Sequence, residues 1–138
     1  MPPAETKQDM IIWTDLMTTD TDGAKAFYSA LFGWTYNERP TDMGTPYIMC
    51  LKDDAEVAGM GLKGDNPGPP AWNSYMRVDD IHHATELAST EGATLLMAPM
   101  QVMEAGHMSI VQDPTGAIFC LWEANEHTGA ISTMSMER

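Results

Sequence analysis

The chain has 138 residues, with 43% hydrophobic and 20% charged residues, which is the composition of one globular domain or of two small lobes sharing a core. Its 20 acidic residues against 7 basic ones leave a formal net charge of −13, which disfavours a phosphate-backbone partner and gives no attraction to an anionic membrane. No apolar run is long enough to span a bilayer, and the first ten residues lack a basic region followed by an apolar one, so the cytoplasm is the expected location.

In chain order, residues 1–9 read as a polar tail and residues 10–17 as a strand. Residues 19–22 supply helix-capping chemistry. Ala24, Phe27, Tyr28 and Leu31 then follow at the spacing of one apolar helical stripe. Gly33 suits the left-handed stop. Short strands are expected at 34–38, 47–51 and 57–62, with a turn over 52–56. The segment 63–70, KGDNPGPP, holds three prolines and two glycines and reads as a linker. The pattern then restarts. Residues 72–78 read as a strand, and Asp79 or Asp80 as a cap. Ile81, Ala84, Leu87 and Ala88 form the second stripe, which Gly92 stops. A strand begins at 94–97. Residues 107–112 and 117–122 read as a hairpin turning through Asp113-Pro114-Thr115-Gly116. Residues 124–138 read as a second polar tail.

A shift of sixty residues superposes the two halves: Leu16 falls on Met76, Asp20 on Asp80, Ala24 on Ala84 and Phe27 on Leu87. With one deletion Gly33 falls on Gly92. A period of this length suits a duplicated half-domain rather than a solenoid. The organisation expected is therefore a module over 10–62, a linker over 63–70 and a second module over 71–123.

Asp20, Ala24, Phe27-Tyr28 and Leu31-Phe32-Gly33-Trp34 resemble the opening motif of the glyoxalase/bleomycin-resistance/dioxygenase superfamily. Gln112-Asp113-Pro114-Thr115-Gly116, followed by Phe119 and Leu121, resembles its closing hairpin. The resemblance implies an α+β fold of two tandem βαβββ modules. Their eight strands would form a curved mixed sheet around a cavity, with the helices outside. It also implies a homodimer, and in many members a divalent metal held by His, Gln or Glu.

Counted from the shared motifs, the positions that carry those ligands fall here on Trp13, Gly59, Asn73 and Cys120. An indole cannot ligate, glycine has no side chain, and a thiol prefers softer metals. The expectation is no metal cofactor, with Glu56 or Glu123 as stray carboxylates. Strand alternation then puts Trp13, Asp15, Asn73, Tyr75, Arg77, His107, Ser109, Cys120 and Trp122 on one ligand-binding face. This lining assumes that Ser109 pairs with Cys120, and His107 with Trp122. It describes an aromatic pocket for a small, planar or aromatic molecule. The alternative is a metal-dependent lyase, isomerase or dioxygenase using an atypical set such as Asp15, His107 and Glu123. A third reading is an interaction domain whose aromatic residues fill the cavity.

Overall fold

Two aspartates begin the two helices. Asp20 accepts the Gly23 N–H at 2.9 Å, and Asp80 accepts the N–H groups of His82 and His83, both at 3.1 Å. The computed structural model describes residues 8–42 and 44–125. In order they form β1 (Ile11–Thr18), α1 (Thr21–Phe32), β2 (Thr35–Arg39), β3 (Tyr47–Lys52), β4 (Ala55–Leu62), β5 (Ala71–Arg77), α2 (Ile81–Thr90), β6 (Thr94–Val102), β7 (Gly106–Gln112) and β8 (Ile118–Ala124). Glycines at positive φ follow both helices, Gly33 at 74° and Gly92 at 102°, a region that penalises other residues. Most of each expected tail lies outside the described residues. Of the rest, Asp9 N–H donates to Arg77 O at 2.7 Å and Asn125 N–H to Ala105 O at 3.0 Å.

Hydrogen bonding orders the eight strands β2-β3-β4-β1-β5-β8-β7-β6, an open mixed sheet ending at β2 and β6. Each half repeats one pattern. In each, the first and last strands pair in parallel, and the rest are antiparallel neighbours. The register repeats too. Asp15, Leu16 and Met17 lie opposite Gly59, Met60 and Gly61, while Tyr75, Met76 and Arg77 lie opposite Cys120, Leu121 and Trp122. The repeat therefore holds at the level of strand partners, at a shift of sixty for the first strands and sixty-one for the last.

Residues Thr14–Asn73 form one compact unit. Its core is Leu16, Ile48, Cys50, Ala58 and Met60, packed by Ala24 and Tyr28 of α1 and by Trp34 and Tyr36. The apolar stripe of α1 is narrower than its spacing predicts. Ala24 and Tyr28 reach the core, but Phe27 and Leu31 stay 59% and 57% exposed, and no residue of α1 is buried. Tyr28 makes the contact by bulk. It stacks on Trp34 at 5.6 Å and accepts the Trp72 indole N–H at 3.0 Å. The turn between β3 and β4 is tighter than expected. Lys52 pairs with Ala55, and Asp53 and Asp54 both take positive φ, the geometry of a two-residue hairpin.

The second unit joins Ser74 and the following chain to the segment ending at Trp13. Its core is Ile81, Val111 and Leu121, covered by Val78, Ala84, Ala88, Ala93 and Phe119. Leu87, placed in the second stripe, is 52% exposed. Pro99 lies in β6, which ends the strand series, at a break in register between Met97 and Met100. That is where a sheet tolerates a residue without an N–H.

The β7–β8 hairpin corrects one expectation. Gln112 pairs with Ile118, so the connection includes Ala117. The Asp113 carboxylate holds this loop. It accepts the Thr115 hydroxyl at 2.7 Å, the Thr115 N–H at 2.8 Å and the Ala117 N–H at 3.0 Å. These bonds, the Thr115 hydroxyl first, keep its pKa below the ordinary carboxylate value. The loop's contribution to stability is thus present above that ordinary range and lost as pH falls through the lowered value. Asp113→Ala should lower Tm by a few degrees at pH 7, and the deficit should shrink under acid; differential scanning calorimetry across pH checks this.

Candidate functional site

The extra loop residue flips one strand face. Ser109 lies opposite Leu121 and His107 opposite Glu123, while Cys120 faces Ile110 and Trp122 faces Met108. Directly opposed residues share a face, and a slip of one residue exchanges the faces. His107 and Ser109 therefore sit on the side of β7 covered by α2, away from Cys120 and Trp122. Ser109 is fully buried, with its hydroxyl 3.3 Å from that of Thr85, which itself donates to Ile81 O at 2.6 Å. Glu123 is on the same side and accepts the Ile81 N–H at 2.8 Å, so it caps α2. The expected pairings of His107 with Trp122 and of Ser109 with Cys120 are both corrected by this register.

On the helix-free face of the second unit stand Tyr75, Arg77, Met108, Ile110, Cys120 and Trp122. Asn73, half-buried, shares their side by strand alternation. Tyr75 and Trp122 meet edge to face, with centroids 6.3 Å apart and planes at 76°. Trp122 is 2% exposed and lies against Gly106, where an added Cβ would stand 2.9 Å from the indole Cζ2. Its Nε1–H is buried and has no acceptor among the described residues. Burying such a donor unpaired costs about 1–3 kcal/mol. Trp13 is also buried, at 9% exposure.

The first unit has a polar feature on the helix-free side of β1. Asp15 is 2% exposed, and Tyr47 donates its hydroxyl to Asp15 Oδ2 at 3.1 Å. Two glycines open the path for the ring. An added Cβ at Gly61 would lie 3.9 Å from Tyr47 Cδ1, and one at Gly59 only 1.7 Å from the Tyr47 hydroxyl oxygen. Tyr47 thus fills the volume that a side chain at position 59 would take. Sequence reasoning placed Asp15 here but missed Tyr47. The signal available was the pair of glycines within a strand, which marks close approach of another group.

Cys50, on the core side of the same unit, is fully buried. Burial, and then the charge of Asp15, push its thiol up to about 11. The thiol stays neutral at pH 7. Because the folded pKa is raised, this contribution to stability persists up to about 9 and is lost as pH rises towards about 11. Iodoacetamide should therefore leave Cys50 unmodified in the native protein at pH 8 and label it after denaturation, as read by peptide mass spectrometry.

The residues do not fit a hard divalent metal. Trp13, Gly59, Asn73 and Cys120 occupy the relevant strand positions, and Gly59's space belongs to Tyr47. Glu56 is paired with Arg39, and Glu123 with the start of α2. Among the described residues no group of three or more His, Cys, Asp or Glu stands close enough to hold a metal ion. The atypical set Asp15, His107 and Glu123 is not gathered, since Glu123 and His107 lie on the helix side. The described helices include none long and apolar enough to cross a membrane.

A doubled βαβββ unit with matched registers and paired aspartate caps defines a class of fold, and comparison with known proteins agrees with it. Residues 10–121 match the Glyoxalase/Bleomycin resistance protein/Dioxygenase superfamily, and the chain belongs to that family. It is 38% identical over 131 residues to CFP32 of Mycobacterium tuberculosis, provisionally named a glyoxylase, with 92% of this chain and 50% of that protein covered. It is 31% identical over 132 residues to the anthracycline biosynthesis protein DnrV of Streptomyces peucetius, covering 86% of this chain and 48% of that one. The chain thus spans about half the length of these relatives. Among solved structures, methylmalonyl-CoA epimerase from Mycobacterium tuberculosis shares the fold at TM-score 0.57 and 15% identity, over 91% of this chain and 95% of that one.

Proposed function

We propose that this chain binds a small, planar, aromatic molecule on the helix-free face of its second unit, without a divalent metal. The observation that carries the reading is the Tyr75–Trp122 pair, two nearly perpendicular buried rings beside Met108, Ile110 and Cys120. Such a surface offers edge-to-face partners and polarisable sulfur to a flat ring. The donor set supports binding without a metal, because among the described residues no group of three or more His, Cys, Asp or Glu stands in for the ligands missing at the family's positions. The name of the relative DnrV, an anthracycline biosynthesis protein, supports a fused-ring ligand in kind. Arg77 is assigned to the ligand's polar groups, and Trp13 to a further aromatic contact. No catalytic step is assigned.

A thermal-shift series with neutral fused-ring aromatics tests the proposal. A ligand present at a hundred times its Kd should stabilise the fold by about 2.7 kcal/mol, a rise of several degrees. Zinc, nickel or manganese should leave Tm unchanged, and untagged protein should carry no stoichiometric metal by mass spectrometry. Metal at one equivalent, or no response to any aromatic, defeats the reading. Trp13→Ala should abolish binding of whichever compound raises Tm, by calorimetric titration; unchanged affinity removes Trp13 from the site.

A further inference from the structure

The indole N–H of Trp122 is a buried donor without an acceptor among the described residues, and that carries a finer statement about the ligand. Proteins satisfy nearly all buried polar groups, so an unsatisfied one calls for an explanation. Two neighbours fix the Trp122 ring and so the direction of its N–H. Tyr75 abuts it edge-on, and Gly106 leaves space for the ring where any Cβ would crowd it. In register, Met108 stands opposite it on one side and Arg77 on the other. Both are long, unbranched side chains that can yield to an incoming molecule. The surrounding Ile110 and Cys120 supply no strong acceptor.

We infer that Trp122 Nε1–H is the recognition donor of the site and that the ligand presents to it a ring carbonyl or equivalent oxygen acceptor. This rests on the proposed binding of a planar aromatic molecule and narrows it to oxygenated rings of the quinone or aryl-ketone class. A flat hydrocarbon gains the same ring contacts but leaves the donor unpaired. A carbonyl in the ring plane pairs it. Discrimination by such a hydrogen bond is about tenfold, the affinity equivalent of about 1.4 kcal/mol.

The test uses the whole chain and a matched pair of probes, 2-(hydroxymethyl)anthraquinone and 2-(hydroxymethyl)anthracene. The four tryptophans give four indole signals in a 15N–1H spectrum, assigned by single substitutions. The quinone should move the Trp122 signal downfield and slow its exchange with solvent, and the hydrocarbon should not. The quinone should bind about tenfold tighter than the hydrocarbon, and Trp122→Phe should bring that ratio near one. If both probes bind equally and the Trp122 signal stays put, or already shows a bound water that neither displaces, the inference is overturned while the aromatic-ligand proposal stands. If neither probe binds, the proposal itself fails for this ligand class. The spectral arm needs only the wild-type protein, so it decides the matter even where Trp122→Phe folds poorly.

Discussion

Trp122→Ala is expected to reduce the unfolding free energy by about 3–5 kcal/mol, the usual cost of removing a buried tryptophan. The indole is 2% exposed, touches Tyr75 and fills the space left by Gly106, so its loss opens a cavity that the flanking strands cannot close. Part of the cost is recovered, because the same change removes a buried N–H that has no acceptor among the described residues. Trp122→Phe should therefore cost less than ring volume alone implies. Urea denaturation of both variants measures this. A loss below about 1 kcal/mol for the alanine variant is incompatible with a packed indole at this position.

Gly59→Ala should be the other severe change, and its sign should depend on Tyr47. The new Cβ would lie 1.7 Å from the Tyr47 oxygen and 2.3 Å from its Cζ, so the ring must swing out and release Asp15. Overpacking costs about 1–3 kcal/mol. Losing a hydrogen bond to a buried carboxylate adds about 1.5–3 kcal/mol. In a Tyr47→Ala background both penalties vanish. Gly59 is not among the positive-φ glycines, so alanine there should then be neutral or stabilising by about 0.4–1 kcal/mol. A double-mutant cycle read by chemical denaturation checks the reversal. Additive effects would show that Tyr47 does not occupy the space above Gly59.

The two predictions concern corresponding places in the two units. Gly59 faces Asp15 in the first, and Cys120 faces Tyr75 in the second, at shifts of sixty residues for the first strand and sixty-one for the last. Where the first unit places a buried carboxylate and a tyrosine hydroxyl, the second places two aromatic rings and a thiol. Duplication preserved the backbone pairing and let the side chains diverge, as expected when fold and site are separable.

Much of the architecture was legible from the chain alone. The Asp20 and Asp80 caps, the glycine stops and the Pro/Gly linker are local signals, each with its cause within a few residues. The sixty-residue recurrence made the halves comparable before any contact was known. Side-chain chemistry also set the expectation that Trp13, Gly59, Asn73 and Cys120 do not make a hard-metal site. What tertiary structure decided were the relations that depend on register and on filled volume. Asp113 drew Ala117 into the turn by hydrogen bonds, which moved the β7 pairing by one residue and carried His107 and Ser109 to the helix side. Tyr47 could be joined to Asp15 only once β3 and β4 were aligned, since the two residues are 32 apart in sequence. Alternation identifies which residues share a face within a strand, but the phase between strands is set by the turns and the core. That phase assembled Tyr75, Cys120 and Trp122 into one face and left the Trp122 N–H without an acceptor among the described residues.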